Sequence, residues 1–191
     1  MTLAGKLGRA APHPSPRSPT SMIFNLFRKP VAPHAVDEAY RSIVAQSRQP
    51  VFYAEWGVPD TVTGRFDMVS VHLAAMLHRL RQDPKAAAFT QALVDTFFLD
   101  MDRSVRELGV SDIGVPRKVK TMGNLFYGLA DSLGAALDSG DAAEVETVLA
   151  RNVYAEAGAG SAQLAAYLIG ESKRLAATPA ATLTGQQGAA A

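Results

Sequence analysis

Three observations predict an all-α fold: a single compact domain of about six helices between disordered terminal tails. Apolar residues recur at i, i+3, i+4 and i+7 through several long windows. Proline, glycine and aspartate punctuate the chain at helix-length intervals. No segment alternates apolar and polar residues for long enough to make a strand. Of the 191 residues 48% are hydrophobic and 19% charged, a balance that supports one folded core. The expected organisation is a leader or disordered segment over residues 1–32, a helical domain over 33–177 and a flexible tail over 178–191.

Residues 1–21 carry Lys6, Arg9 and Arg17, no acid, and prolines at 12, 14, 16 and 19. Too little apolar surface is present to fold, and no apolar core of a signal peptide occurs. Two readings remain: a basic transit peptide, or an upstream extension ahead of a true start at Met22. The prolines oppose the amphipathic helix of a transit peptide and favour the second. Met22-Ile-Phe-Asn-Leu-Phe-Arg-Lys29 then reads as a short apolar leader with a basic end, suited to a helix groove or a membrane surface.

A first helix is expected over residues 35–46, closed ahead of Pro50 because the residue before proline resists the α conformation. Residues 50–64 read as an ordered loop, dense in aromatics with Phe52, Tyr53 and Trp56. The second helix, 66–81, has the stripe Phe66, Val69, Leu73, Met76, Leu77 and Leu80. Asp83 and Pro84 supply the cap and first position of a third, 84–108, stopped by Gly109. Its stripe is Phe89, Leu93, Val94, Phe97, Met101, Val105 and Leu108, with Asp102 and Arg106 paired on the far side. A fourth helix, 116–139, turns Val119, Met122, Phe126, Leu129, Leu133 and Leu137 inward. Its Gly123, Gly128 and Gly134 each cost about 1 kcal/mol relative to alanine, which close backbone packing would offset. Asp141 caps a fifth helix ending at Val153 or Tyr154, and Ser161 caps a last one ending at Ala177. Phe97, Met101, Phe126 and Leu133 are the expected core.

A net charge of +1 gives no global field for nucleic acid, so DNA is not an expected partner. The absence of cysteine excludes disulfides, thiol catalysis and cysteine-ligated metals. No window offers the roughly 18 uncharged apolar residues of a spanning helix. The expected location is therefore cytoplasmic, with peripheral contact at an inner membrane as an option, on the matrix side if the protein is organellar.

Two blocks carry a family resemblance. The first is Tyr53-Ala-Glu-Trp-Gly-Val-Pro-Asp-Thr-Val-Thr-Gly-Arg-Phe-Asp67, followed by His72-Leu73. The second is Asp100-Met-Asp-Arg-Ser-Val-Arg-Glu-Leu-Gly-Val-Ser-Asp112, continuing Ile-Gly-Val-Pro-Arg-Lys-Val-Lys120 and then Phe126-Tyr-Gly128. Together they resemble the ubiquinol–cytochrome c chaperone family, over about residues 40–154. Ser104 and Ser111 stand where the family pattern has Asn and Gly, and Leu129 where it has Arg, which removes one cation from a contact surface. The resemblance implies a non-enzymatic assembly chaperone that binds newly made cytochrome b during assembly of respiratory complex III. It further implies a small partner assembly factor and the ribosome as contacts, and no cofactor.

Within that reading the partner-binding residues are Tyr53, Trp56, Asp60, Arg65, Asp102, Arg103, Arg106, Asp112, Arg117, Lys118 and Lys120. The rings of residues 52–66 read first as cover for the core edge; as the alternative, Tyr53 and Trp56 are of the residue types found at binding hot spots. The basic run Arg117-Lys-Val-Lys120 opens a helix where cations are disfavoured by a few tenths of a kcal/mol. Either Asp112 compensates it, or it docks acidic groups.

Catalysis and metal binding find little support. His72 and His78 lie about 120° apart around a helix and cannot share a metal. His72 reads as a partly buried histidine beside Met68 and Met76, and His78 as a solvated surface group. Asp95, Asp100 and Asp102 read as ion-pairing carboxylates beside Arg103 and Arg106. No nucleotide-binding or zinc-hydrolase motif occurs. A haem- or quinone-handling accessory protein that uses His72 is the alternative function.

Overall fold

The computed structural model describes residues 32–107, 109, 111–154 and 160–185, so the leader at 22–29 and Leu108 lie outside the described residues. Among these the protein is all helical: α1 Pro33–Ser47, α2 Pro50–Ala54, α3 Val62–Leu80, α4 Ala87–Glu107, α5 Val115–Ser139, α6 Ala142–Val153, α7 Ser161–Ala177 and α8 Ala180–Leu183. Six long helices match the expected six, and α2 and α8 are single turns.

α3 runs through the middle and separates two apolar clusters. The stripe expected from its periodicity, with Val69, Leu73 and Leu80 at its centre, packs with α1, α4 and the first half of α5, where Phe89, Phe97, Met101 and Phe126 are almost fully buried. The opposite side, through Met68, Val71 and Ala74, packs with α2, α6, α7 and the second half of α5. A helix covered on both sides carries two stripes, and the larger residues of one mask the smaller residues of the other. Phe97 stacks on Phe66 at 5.3 Å and meets Phe126 at 4.7 Å between ring centroids.

Local chemistry sets the element ends. Thr61 accepts a hydrogen bond from Gly64 N at 3.1 Å and so starts α3 at Val62, one turn earlier than the sequence periodicity places it. Gly64 lies hard against the carbonyl of Pro59, a space that no Cβ could share. Residues 50–54, read as loop, form a helical turn that opens on Pro50 and buries Phe52 completely. Asp83 caps a 3-10 turn, Pro84–Ala86, that leads into α4. Gly109 and Gly140 take the left-handed backbone that ends α4 and α5, and Asp141 caps α6 through Ala143 N at 2.8 Å.

Four expectations are corrected. Gly160 occupies the cap of α7, and Ser161, its first residue, donates its hydroxyl to Glu146 at 2.7 Å instead. The α5 glycines do not meet other backbones: Gly123 faces the Phe98 ring, Gly134 faces His78 Nδ1, and Gly128 faces open space. His78 is not solvated; its side chain is largely buried, with Nε2 3.3 Å from Asp138. Helical structure also continues beyond Thr178, where α8 packs Ala180 and Leu183 against the α1–α4 cluster. The guanidinium of Arg79 ties this corner together, donating to the carbonyls of Leu175 and Thr178 at 3.0 Å each.

Candidate functional site

α1, α3, α4 and α5 do not close completely around their shared core. They leave a cavity of about 360 Å³ whose buried floor includes Val69, Phe97, Met101 and Val105. Phe66 and Met122 line its half-buried wall, and Val62, Arg48, Arg65 and Lys118 reach it from exposed positions. Asp100 is the one carboxylate among its lining residues, and it accepts the Tyr40 hydroxyl at 2.8 Å across the α1–α4 contact. Burial, and then the Asp100 carboxylate, push the Tyr40 hydroxyl far above its usual value, which keeps it a donor.

A neighbouring depression shares Arg48 and Arg65 and adds Pro50, Tyr53, Ala54 and Asp60. Arg65 Nε donates to Asp60 at 2.6 Å, and that bond holds the exposed Asp60 carboxyl below the usual carboxylate range. The pair joins the 55–61 connection to the first turn of α3. Tyr53 donates its hydroxyl to the carbonyl of Ser47 at 2.7 Å, which fixes the α1–α2 corner and leaves the ring along the depression. Burial raises its hydroxyl.

The eleven residues singled out from the sequence therefore divide. Tyr53, Asp60, Arg65 and Lys118 line these two connected hollows. Trp56 does not: its ring packs against Phe52 at 5.3 Å and Tyr167 at 6.0 Å, in the α7-side cluster. Asp102 and Asp112 both accept from Arg106, at 2.7 and 2.8 Å, and brace the α4–α5 connector. Asp112 is thus spent on Arg106 rather than on the basic run that follows. Arg103, Arg117 and Lys120 are exposed, without an ion pair among the described residues. Sequence reasoning missed Tyr40 and Arg48, and it read Asp100 as an ion-pairing carboxylate where the structure has it accept from Tyr40. Arg48, one residue past the end of α1 and two before Pro50, was the accessible signal: a cation at a chain corner with no local acid to pair it.

The model of the ubiquinol–cytochrome C chaperone family matches residues 54–189, well over half of the chain. The chain belongs to the ubiquinol–cytochrome c chaperone family. In agreement, the crystal structure of the Cbp3 homolog from Brucella abortus superposes with a TM-score of 0.75 at 38% identity, covering 86% of this chain and 94% of that one. No curated protein sequence matches significantly.

Against this chaperone fold, the histidine that favoured a haem reading is structurally committed. His72 is buried, its Nδ1 lies 2.7 Å from the carbonyl of Met68 and its Nε2 3.1 Å from the Tyr167 hydroxyl. Burial lowers its affinity for a proton, so the neutral ring donates from Nδ1 and accepts at Nε2. Neither nitrogen has a lone pair open to a metal. Among the described residues no group of three histidine, aspartate or glutamate side chains is placed to hold a metal ion. No described helix is long and apolar enough to cross a membrane.

Proposed function

We propose that this family member acts as a chaperone for newly made cytochrome b, holding an apolar segment of it until assembly into the ubiquinol–cytochrome c reductase proceeds, and that it does so by binding rather than catalysis. The observation that carries the reading is the pair of connected hollows around Arg48 and Arg65, where an apolar floor opens between exposed cations on a helical scaffold of this family. An apolar floor supplies affinity, and charged edges fix orientation. The exposed Arg103, Arg117 and Lys120 stand as contacts for acidic groups of a small partner factor, the ribosome or the surface of the inner membrane.

Deletion of the gene, with haem-loaded cytochrome b measured against its total polypeptide, tests the proposal. Loss of the loaded form, restored by the wild-type chain and not by an Arg65→Glu, Lys118→Glu variant, is the expected result. Normal levels of both, with intact quinol oxidation, overturn it.

A further inference from the structure

We propose that the cavity between α1, α3, α4 and α5 binds an acidic amphiphile, a long acyl chain ending in a carboxylate or phosphate, with the chain on the buried floor and the anionic head between Arg48, Arg65 and Lys118. The inference extends beyond client binding and stands on the cavity's own chemistry. Its volume of about 360 Å³ falls within the range of small-ligand sites. Val69, Phe97, Met101 and Val105 make up the apolar part of its floor, and Tyr40, buried beside them, already gives its hydroxyl to Asp100. Water gains no hydrogen bonds there, whereas a methylene chain gains both contact and release from solvent.

The edge carries more cations than carboxylates: Arg48, Arg65 and Lys118 stand against Asp100, which accepts from Tyr40, and with Asp60 counted as the partner of Arg65 the surplus is one. Arg65 gives Nε to Asp60 and keeps its terminal nitrogens, while Arg48 and Lys118 have no ion pair among the described residues. Lys118 stands in the first turn of the 25-residue α5, where the helix dipole adds to its positive field. Unpaired cations at the rim of an apolar hollow favour an anionic head group there over a neutral one. The basic leader at Arg28 and Lys29 carries the wrong sign for this place. An uncharged apolar ligand would leave the cations unanswered.

The test uses the full purified chain, stripped of copurifying lipid, with palmitate, its uncharged alcohol, and vesicles of phosphatidylcholine with or without phosphatidylglycerol. Palmitate should bind saturably at one site and at least about tenfold more tightly than the alcohol. Val62→Glu places an anion at the exposed edge, at the first position of α3 where an acid suits the helix, and should weaken palmitate at least about tenfold. Lys118→Gln should weaken it in the same direction, while Lys173→Gln, exposed on α7 and outside the cavity, should leave it unchanged. Binding to phosphatidylglycerol vesicles that palmitate competes away identifies a membrane lipid as the source. Binding of palmitate without vesicle binding identifies a free acid. Equal affinity for acid and alcohol, an unaltered Val62→Glu variant, or no saturable binding overturns the proposal. Cytochrome b levels are not part of the readout, so this inference and the client reading fail separately.

Discussion

Asp67 offers the sharpest quantitative test of the packing. It lies in the second turn of α3, half-buried, and among the described residues no hydrogen bond or ion pair reaches its carboxyl. Burial alone raises its pKa from 3.8 to about 7. Between those two values the folded state holds a proton that the unfolded state has released, so this group's contribution favours folding below about pH 4 and is lost as pH rises towards 7. The two pKa values differ by about three pH units, which corresponds to at most about 4 kcal/mol. Partial exposure screens the carboxylate, and about 1–2 kcal/mol is the reasonable expectation. Asp67→Asn keeps the shape and removes the charge. Urea unfolding followed by the fluorescence of Trp56, the chain's one tryptophan, should show the variant more stable by that amount near pH 8 and equal to the wild type near pH 4. His72 and His78, whose burial lowers their pKa values, impose the opposite slope below about pH 6.5, but they do so in both proteins and cancel in the difference. A gain that does not vary with pH, or a loss near pH 8, refutes the assignment of Asp67 as an uncompensated buried acid.

Three further substitutions read the close approaches and the corner of the fold. Gly160→Ala forces a methyl group into the carbonyl of Trp56 and should cost about 3 kcal/mol in urea unfolding, while Gly128→Ala, exposed with open space around it, should gain about 0.5–1 kcal/mol. Arg79→Ala removes two charge-assisted bonds to the last carbonyls of α7 and should cost about 1.5–3 kcal/mol, with hydrogen exchange at α7 and α8 accelerating before that of α4.

Why the helices were legible and the cavity was not follows from how each is written. A core stripe is local: Phe89, Leu93, Phe97, Met101 and Val105 repeat on one helix with a fixed period, and all five are buried. Caps are more local still, as Asp83, Gly109 and Asp141 show. The errors arose where tertiary packing outweighed a local signal. Pro50 read as a breaker, yet Phe52 two residues on has a fully buried place that makes one helical turn worthwhile. His78 read as solvated because Arg79 and Arg81 flank it, yet only its neighbours around the helix, not those along the chain, decide what it meets.

The cavity-lining cations, proposed above to hold a ligand, required information that no single element holds. Arg48 ends one helix, Arg65 begins another, and Lys118 begins a third, and they meet only at a cavity that α1, α3, α4 and α5 together leave unfilled. Asp102, Arg106 and Asp112, close together in sequence, satisfy one another and are left with little to offer a partner. Asp102 and Asp112, within six residues of Arg106, capture its guanidinium, whereas Arg48 and Lys118 have no ion pair among the described residues and line the cavity with their charges uncancelled.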